Sequence, residues 1–154
     1  MSTQESRADF FEVGDKTSLI CVDAETIDIV KATLRELGYK FHIAETTDQS
    51  IERMRYTNYD CIVVHENFAG NSLNLNPVLS YLAPLPMAQR RDSFVCVVGP
   101  SFKTLDAMQA FSQSVHLVIH PSDLPSLSAI FKKGFAEFEL LYRSYKSVLN
   151  TMGD

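Results

Sequence analysis

A chain of 154 residues, 45% of them hydrophobic, has room for one domain with a proper core. Its 14 basic and 19 acidic side chains leave a net charge of -5, and basic residues adjoin only at Arg90-Arg91 and Lys132-Lys133, so no basic stripe points to nucleic acid. No apolar run approaches the roughly 18 residues of a membrane span, and the N-terminus lacks the apolar core of a targeting signal, which points to a cytoplasmic protein with no membrane partner.

Residues 1–17 are polar apart from Phe10-Phe11 and Val13, and read as a flexible arm that docks through the aromatic pair. Ser18 to Val22 is the first buried strand, ending at Asp23-Ala24-Glu25. Ile27, Val30, Leu34 and Leu37 then recur at helical spacing, with Gly38 as the stop. Lys40 to Ala44 is a short strand, and Thr46-Thr47-Asp48 caps a helix through Tyr56. Tyr59 to Val64 is the third strand. Four apolar residues in a row, Cys61 to Val64, suit a strand covered on both faces, and His65 stands where the run stops.

A loop from Glu66 leads to Asn76-Pro77, a helix start whose buried side is Val78, Leu79 and Leu82. Phe94 to Val98 is the fourth strand, stopped by Gly99-Pro100, after which Ser101 opens a helix with Leu105, Met108 and Phe111 facing inward. Val115 to Ile119 is the fifth strand, closed by His120-Pro121, and a long helix runs from Asp123 to Met152. Cys21, Cys61 and Cys96 each lie in a strand, at separations that fit no zinc or disulfide framework, and read as small core hydrophobes. Five strands, each followed by a helix, predict a flavodoxin-like α/β domain, a doubly wound parallel sheet of order 2-1-3-4-5 with right-handed crossovers. The domain spans 18–136, and 137–154 extends the last helix beyond it.

In the long helix, Leu127, Phe131, Gly134, Phe138, Leu141, Tyr145, Val148 and Met152 recur at spacings of four and three, a heptad pattern. The first half covers the sheet. The second carries a stripe of Phe138, Leu141, Tyr145 and Val148 that a monomer would expose, which favours a homodimer of paired helices; the alternative is a helix folded back against Phe10-Phe11. Gly134 within the stripe implies close approach or a kink.

The chain resembles a response-regulator receiver domain over Ser18 to Ala136. The residues carrying the likeness are Leu19-Ile20-Cys21-Val22-Asp23, Leu34-Arg35-Glu36-Leu37-Gly38-Tyr39, Ala44-Glu45, Tyr59-Asp60-Cys61-Ile62-Val63-Val64, Gly70 and His120-Pro121. What the resemblance implies is phosphoryl transfer from a histidine kinase to an aspartate at the end of the third strand, with magnesium held by acids after the first. Most of the residues that chemistry needs are replaced: the acceptor position is His65, the second acid is Ala24 beside Asp23, the hydroxyl residue after the fourth strand is Gly99, the lysine after the fifth is His120, and the switching aromatic is Leu117. Asp60 cannot substitute, since five strand residues place it roughly 16 Å from His65. Glu66 is expected to point to solvent.

Asp23, His65 and His120 should share one rim of the sheet, where three roles are open: a metal or small-ligand site, a pH switch, or a hydrogen-bonded cluster filling a disused pocket. Asp23 can equally cap the following helix, Ser101 can cap its own, and Asn67 reads as a loop residue. The reading that follows is a non-enzymatic pseudo-receiver with no resident cofactor. It acts by binding a protein partner in a signalling pathway through the long helix and the face of the fourth and fifth strand-helix units. The rivals are a regulator still modulated by phosphorylation, and a sensor using Asp23, His65 and His120.

Overall fold

In the computed structural model, residues 10–85 and 92–153 are described, except for the side chains of Asn74, Tyr142 and residues 144–153. Five strands, β1 (Lys16–Cys21), β2 (Tyr39–Ile43), β3 (Cys61–His65), β4 (Phe94–Val98) and β5 (Leu117–Ile119), form one parallel sheet in the order β2-β1-β3-β4-β5. The helices are α1 (Ala24–Glu36), α2 (Thr47–Tyr56), α3 (Pro77–Leu82), α4 (Ala107–Gln113) and α5 (Leu127–Gly153). The expected doubly wound fold is the one observed.

Alternation along each strand sends side chains to two separate cores. Leu19, Cys21, Ile62, Val64, Val95 and Val97 face α2, α3 and α4, where they meet Val78, Leu79, Leu82 and Ala110. Ile20, Cys61, Val63, Cys96 and Val98 face α1 and α5, against Val30, Leu34, Leu127, Ile130 and Phe131. All three cysteines are buried free thiols whose pKa is raised by desolvation, Cys21 to about 12.

The sheet begins two residues earlier than the strand read from the sequence, and residues 1–9 of the arm lie outside the described residues. Only one of the aromatic pair docks: Phe11 stacks on His42 at 4.0 Å and meets the Tyr59 edge, whereas Phe10 is exposed. That contact belongs to the α2–α4 side of the sheet, so α5 on the other side does not fold back against it. At the far end of β3 from His65, the Asp60 carboxylate accepts from the Thr17 N–H at 2.9 Å, as its distance from His65 implied.

Gly134 marks a close approach. A Cβ there would lie 2.9 Å from the Phe94 ring, which packs edge-on to Phe135 and Phe138. Gly134→Ala gains about 1 kcal/mol of helix propensity but overpacks α5 against β4 at about 1–3 kcal/mol. The expected net effect is a loss of about 1 kcal/mol in urea unfolding, with Gly134→Val worse.

The region after β4 departs from its sequence reading. Ser101 does not open a helix. Asp106 caps α4 by accepting from the Gln109 N–H at 3.0 Å, and Leu105 sits just before it at a φ of 67°, its N–H bonded to the Val118 carbonyl. With the helix starting there, Ala110 faces the core, while Met108 and Phe111 are 75% and 81% exposed and Leu105 also faces out. The inward placement of Leu105, Met108 and Phe111 is therefore corrected.

Phe138 is also corrected. It is half-buried, meeting His116 at 4.7 Å and Phe94 at 5.6 Å, both edge-on, so the exposed stripe begins at Leu141. The side chains of Tyr145 and Val148 lie outside the described ones. Among the described residues, no helix is long and apolar enough to cross a membrane.

Candidate functional site

Parallel strands deliver their carboxyl ends, and the residues just beyond them, to one rim, where α/β sheets place their ligands. Asp23, His65, Gly99 and His120 all follow or end strands on that rim. Their contacts keep them apart. Asp23 is exposed and is the N-cap residue of α1, but its side chain makes no capping bond; only its carbonyl accepts, from the Thr26 and Ile27 N–H groups. His120 turns into its own loop, its Nδ1 accepting from the Ser122 N–H at 3.1 Å and facing the Ser122 hydroxyl at 2.8 Å. His65 is 8% exposed, and its Nδ1 accepts from the Asn67 N–H at 3.1 Å. Neither imidazole bonds to the other, so a shared cluster with Asp23 is not what fills the rim.

Glu66 fills it instead. Rather than pointing to solvent, it is 3% exposed, with its backbone N–H donating to the Val98 carbonyl at 2.8 Å. Its side chain crosses to the end of β4, where Oε1 accepts from the Ser101 N–H at 2.8 Å and Oε2 from the Ser101 hydroxyl at 2.7 Å. The crossing requires Gly99, since a Cβ at that position would lie 2.0 Å from Oε1 and 2.3 Å from Cγ of Glu66. Thus Gly99 makes space for a carboxylate, and Ser101 supplies the hydroxyl that this carboxylate binds.

Asn76 holds the segment from beneath. Its side-chain amide is buried, donating to the His65 and Glu66 carbonyls at 3.2 Å each and accepting from the Val78 and Leu79 N–H groups. One residue thereby caps α3 and fixes the end of β3. On the other flank, Thr104 accepts from the His120 N–H at 2.9 Å and donates to Asp123 at 2.5 Å, tying the loop after β4 to the loop after β5. Asn67 bonds the Asn71 carbonyl within its own loop.

Magnesium does not fit these residues. It demands near-octahedral oxygen ligands, whereas Asp23 is followed by Ala24, an imidazole ends β3, and the Glu66 carboxylate is engaged by Ser101. Among the described residues, no group of three or more His, Cys, Asp or Glu side chains is placed to hold a metal, so the three-residue metal set read from the sequence is not assembled.

No family model matches the chain, and no curated protein matches it. Solved structures do. A putative response regulator from Chloroflexus aurantiacus J-10-fl superposes with a TM-score of 0.62 at 14% identity, over 79% of this chain and 98% of that one. A response regulator from Thermotoga maritima gives 0.58 at 16% identity over the same shares. The beryllofluoride-activated NtrC4 receiver domain dimer gives 0.58 at 21% identity, over 80% of this chain and 98% of that one. At these identities the likeness speaks for architecture, and the chain carries the fold of the response-regulator receiver domains.

Proposed function

We propose that the protein is a signalling module that works by binding other proteins, in a conformation that does not wait for a phosphoryl group. The observation that carries this reading is the Glu66–Ser101 pair across Gly99: the carboxylate nearest the end of β3 is buried, both its oxygens accept bonds, and it takes the hydroxyl near the end of β4. A nucleophile must present a lone pair to the donor, whereas each Glu66 oxygen accepts a bond in a buried setting and the Nδ1 lone pair of His65, which ends β3, accepts from the Asn67 N–H at 3.1 Å. Incubation with a small phosphoryl donor and magnesium, followed by intact mass, is expected to show no adduct. A stoichiometric adduct abolished by Glu66→Gln or His65→Ala would establish the rival, a regulator charged through an unorthodox acceptor.

The binding surface is the face of α4 and α5. Met108 and Phe111 project from α4, and a groove of about 240 Å³ between α4 and α5 is lined by Leu105, Ala110, Phe138 and Leu141. Apolar burial stabilises association by roughly 25 cal/mol per Å², and large side chains exposed side by side on one helix are the usual mark of an interface. Replacing both Met108 and Phe111 by Glu is expected to change folding stability by under about 0.5 kcal/mol, because neither is buried, while weakening complex formation at least about tenfold. Self-association through α5 belongs to the same reading.

A further inference from the structure

His116 holds the start of β5 with its backbone and its ring together. Its N–H donates to the Val95 carbonyl at 2.9 Å, and its Nδ1 accepts from the Val95 N–H at 2.9 Å. One residue thus clamps both backbone groups of Val95, just before the β4–β5 ladder opens with Cys96 and Leu117. The ring lies between two others, stacked on Phe94 at 5.4 Å and edge-on to Phe138 at 4.7 Å. His116 and Phe138 both line the groove between α4 and α5.

The clamp depends on where a proton sits. An imidazole accepts at Nδ1 only while it is neutral and protonated at Nε2, whereas the imidazolium carries N–H at both nitrogens. A proton on Nδ1 sets N–H against the Val95 N–H, and the bond must open. His116 is exposed, so a proton reaches it without unfolding. The charged ring also has another place to go. The charged side chains lining the groove with it are Asp106, at the start of α4, and Glu137, on α5; β4 and β5 bring only the apolar Phe94, Leu117 and Val118. Asp106 is held by the Gln109 N–H at 3.0 Å, whereas the exposed Glu137 makes no hydrogen bond or ion pair among the described residues. Both carboxylates favour the cation, and Glu137 is the one able to receive it.

We propose that His116 is a proton-operated latch on the α4–α5 groove. Neutral, it ties β5 to β4 and packs against Phe138; charged, it leaves Val95, turns toward Glu137 and alters the groove wall. The inference rests on the reading of this groove as a binding surface and gives that surface a pH dependence. Its sign follows from the bond. Only the neutral ring makes it, so the clamp is complete above the ordinary histidine pKa of about 6.5 and is lost as the pH falls through that range.

Spectra of the labelled full-length protein test the latch without a partner. At pH about 7.5 the His116 ring should carry its proton on Nε2. Between pH about 7.5 and about 5.5, protection of the Val95 N–H from exchange, corrected for the intrinsic rate, should fall about fivefold, and the Phe138 ring signals should move with the same midpoint. His116→Gln supplies an oxygen that accepts but does not titrate, so Val95 protection should hold across the range while the other histidines still titrate. Glu137→Gln should move the midpoint to lower pH. A ring proton on Nδ1 at neutral pH, a His116 titration that leaves Val95 and Phe138 unchanged, or an undiminished response in His116→Gln each overturns the latch. None of these readouts involves a binding partner, so the protein-binding reading is judged apart, by the Met108 and Phe111 variants.

Discussion

Gly99→Ser is expected to lower folding stability by about 2–3 kcal/mol, although it restores the hydroxyl residue that the receiver likeness implies at that position. The new Cβ would overlap the Glu66 side chain, with 2.4 Å to Cδ. Glu66 must swing out, which breaks its bonds from the Ser101 amide and hydroxyl. A carboxylate bond is worth about 1.5–3 kcal/mol net, but here both donors and the displaced carboxylate regain water, so the loss falls short of two full bonds. The clash should vanish with its partner. In a Glu66→Ala background, Gly99→Ser should cost under about 1 kcal/mol, and a coupling of about 1–2 kcal/mol in the double-mutant cycle, read by urea unfolding, is the signature of direct contact. Additive effects would show that the two residues do not share this space.

The second large effect is expected at Asn76. Asn76→Ala removes two donor bonds to the His65 and Glu66 carbonyls and two acceptor bonds at the start of α3, all in a site 1% exposed. Loss of the cap alone costs about 1 kcal/mol, and leaving buried carbonyls unpaired adds about 1–3 kcal/mol. A total of about 2–4 kcal/mol follows. Asn76→Asp separates the two parts: it keeps the capping oxygen but turns a carboxylate oxygen toward two carbonyls, so it should be at least as damaging. Native-state hydrogen exchange should show faster opening in both Val78–Leu82 and Val64–Glu66 for either variant; exchange confined to α3 would mean that Asn76 is a cap and nothing more.

These expectations turn on contacts that apolar patterning does not record. Strands and layers were legible because five apolar runs, each ended by a breaker or polar residue, alternate with helical periodicity, and that pattern leaves little choice beyond a doubly wound sheet. Glu66 was misread because it follows the last strand residue, where the period of two stops governing direction. Its actual course depends on Gly99, 33 positions later, which has no side chain to announce an empty space. The α4 error has a different origin. Leu105, Met108 and Phe111 recur every three residues like a core stripe, but Asp106 followed three residues later by Gln109 is a helix-start signal that shifts the inward face to Ala110. At α5, periodicity cannot say where the sheet ends beneath the helix. Phe94 and His116 carry the packed surface out to Phe138, one turn further than the sequence suggested.

The central claim is that a side chain of the protein itself occupies the rim where a phosphoryl group would bind, so no external one is needed to set the conformation. Amide spectra of the labelled protein titrated with beryllofluoride and magnesium address this most directly. The account predicts no saturable shift among residues 65–70 and 99–105. Saturable shifts in both segments, spreading to α4 at phosphoryl-mimic concentrations that load a conventional receiver run alongside, would contradict it.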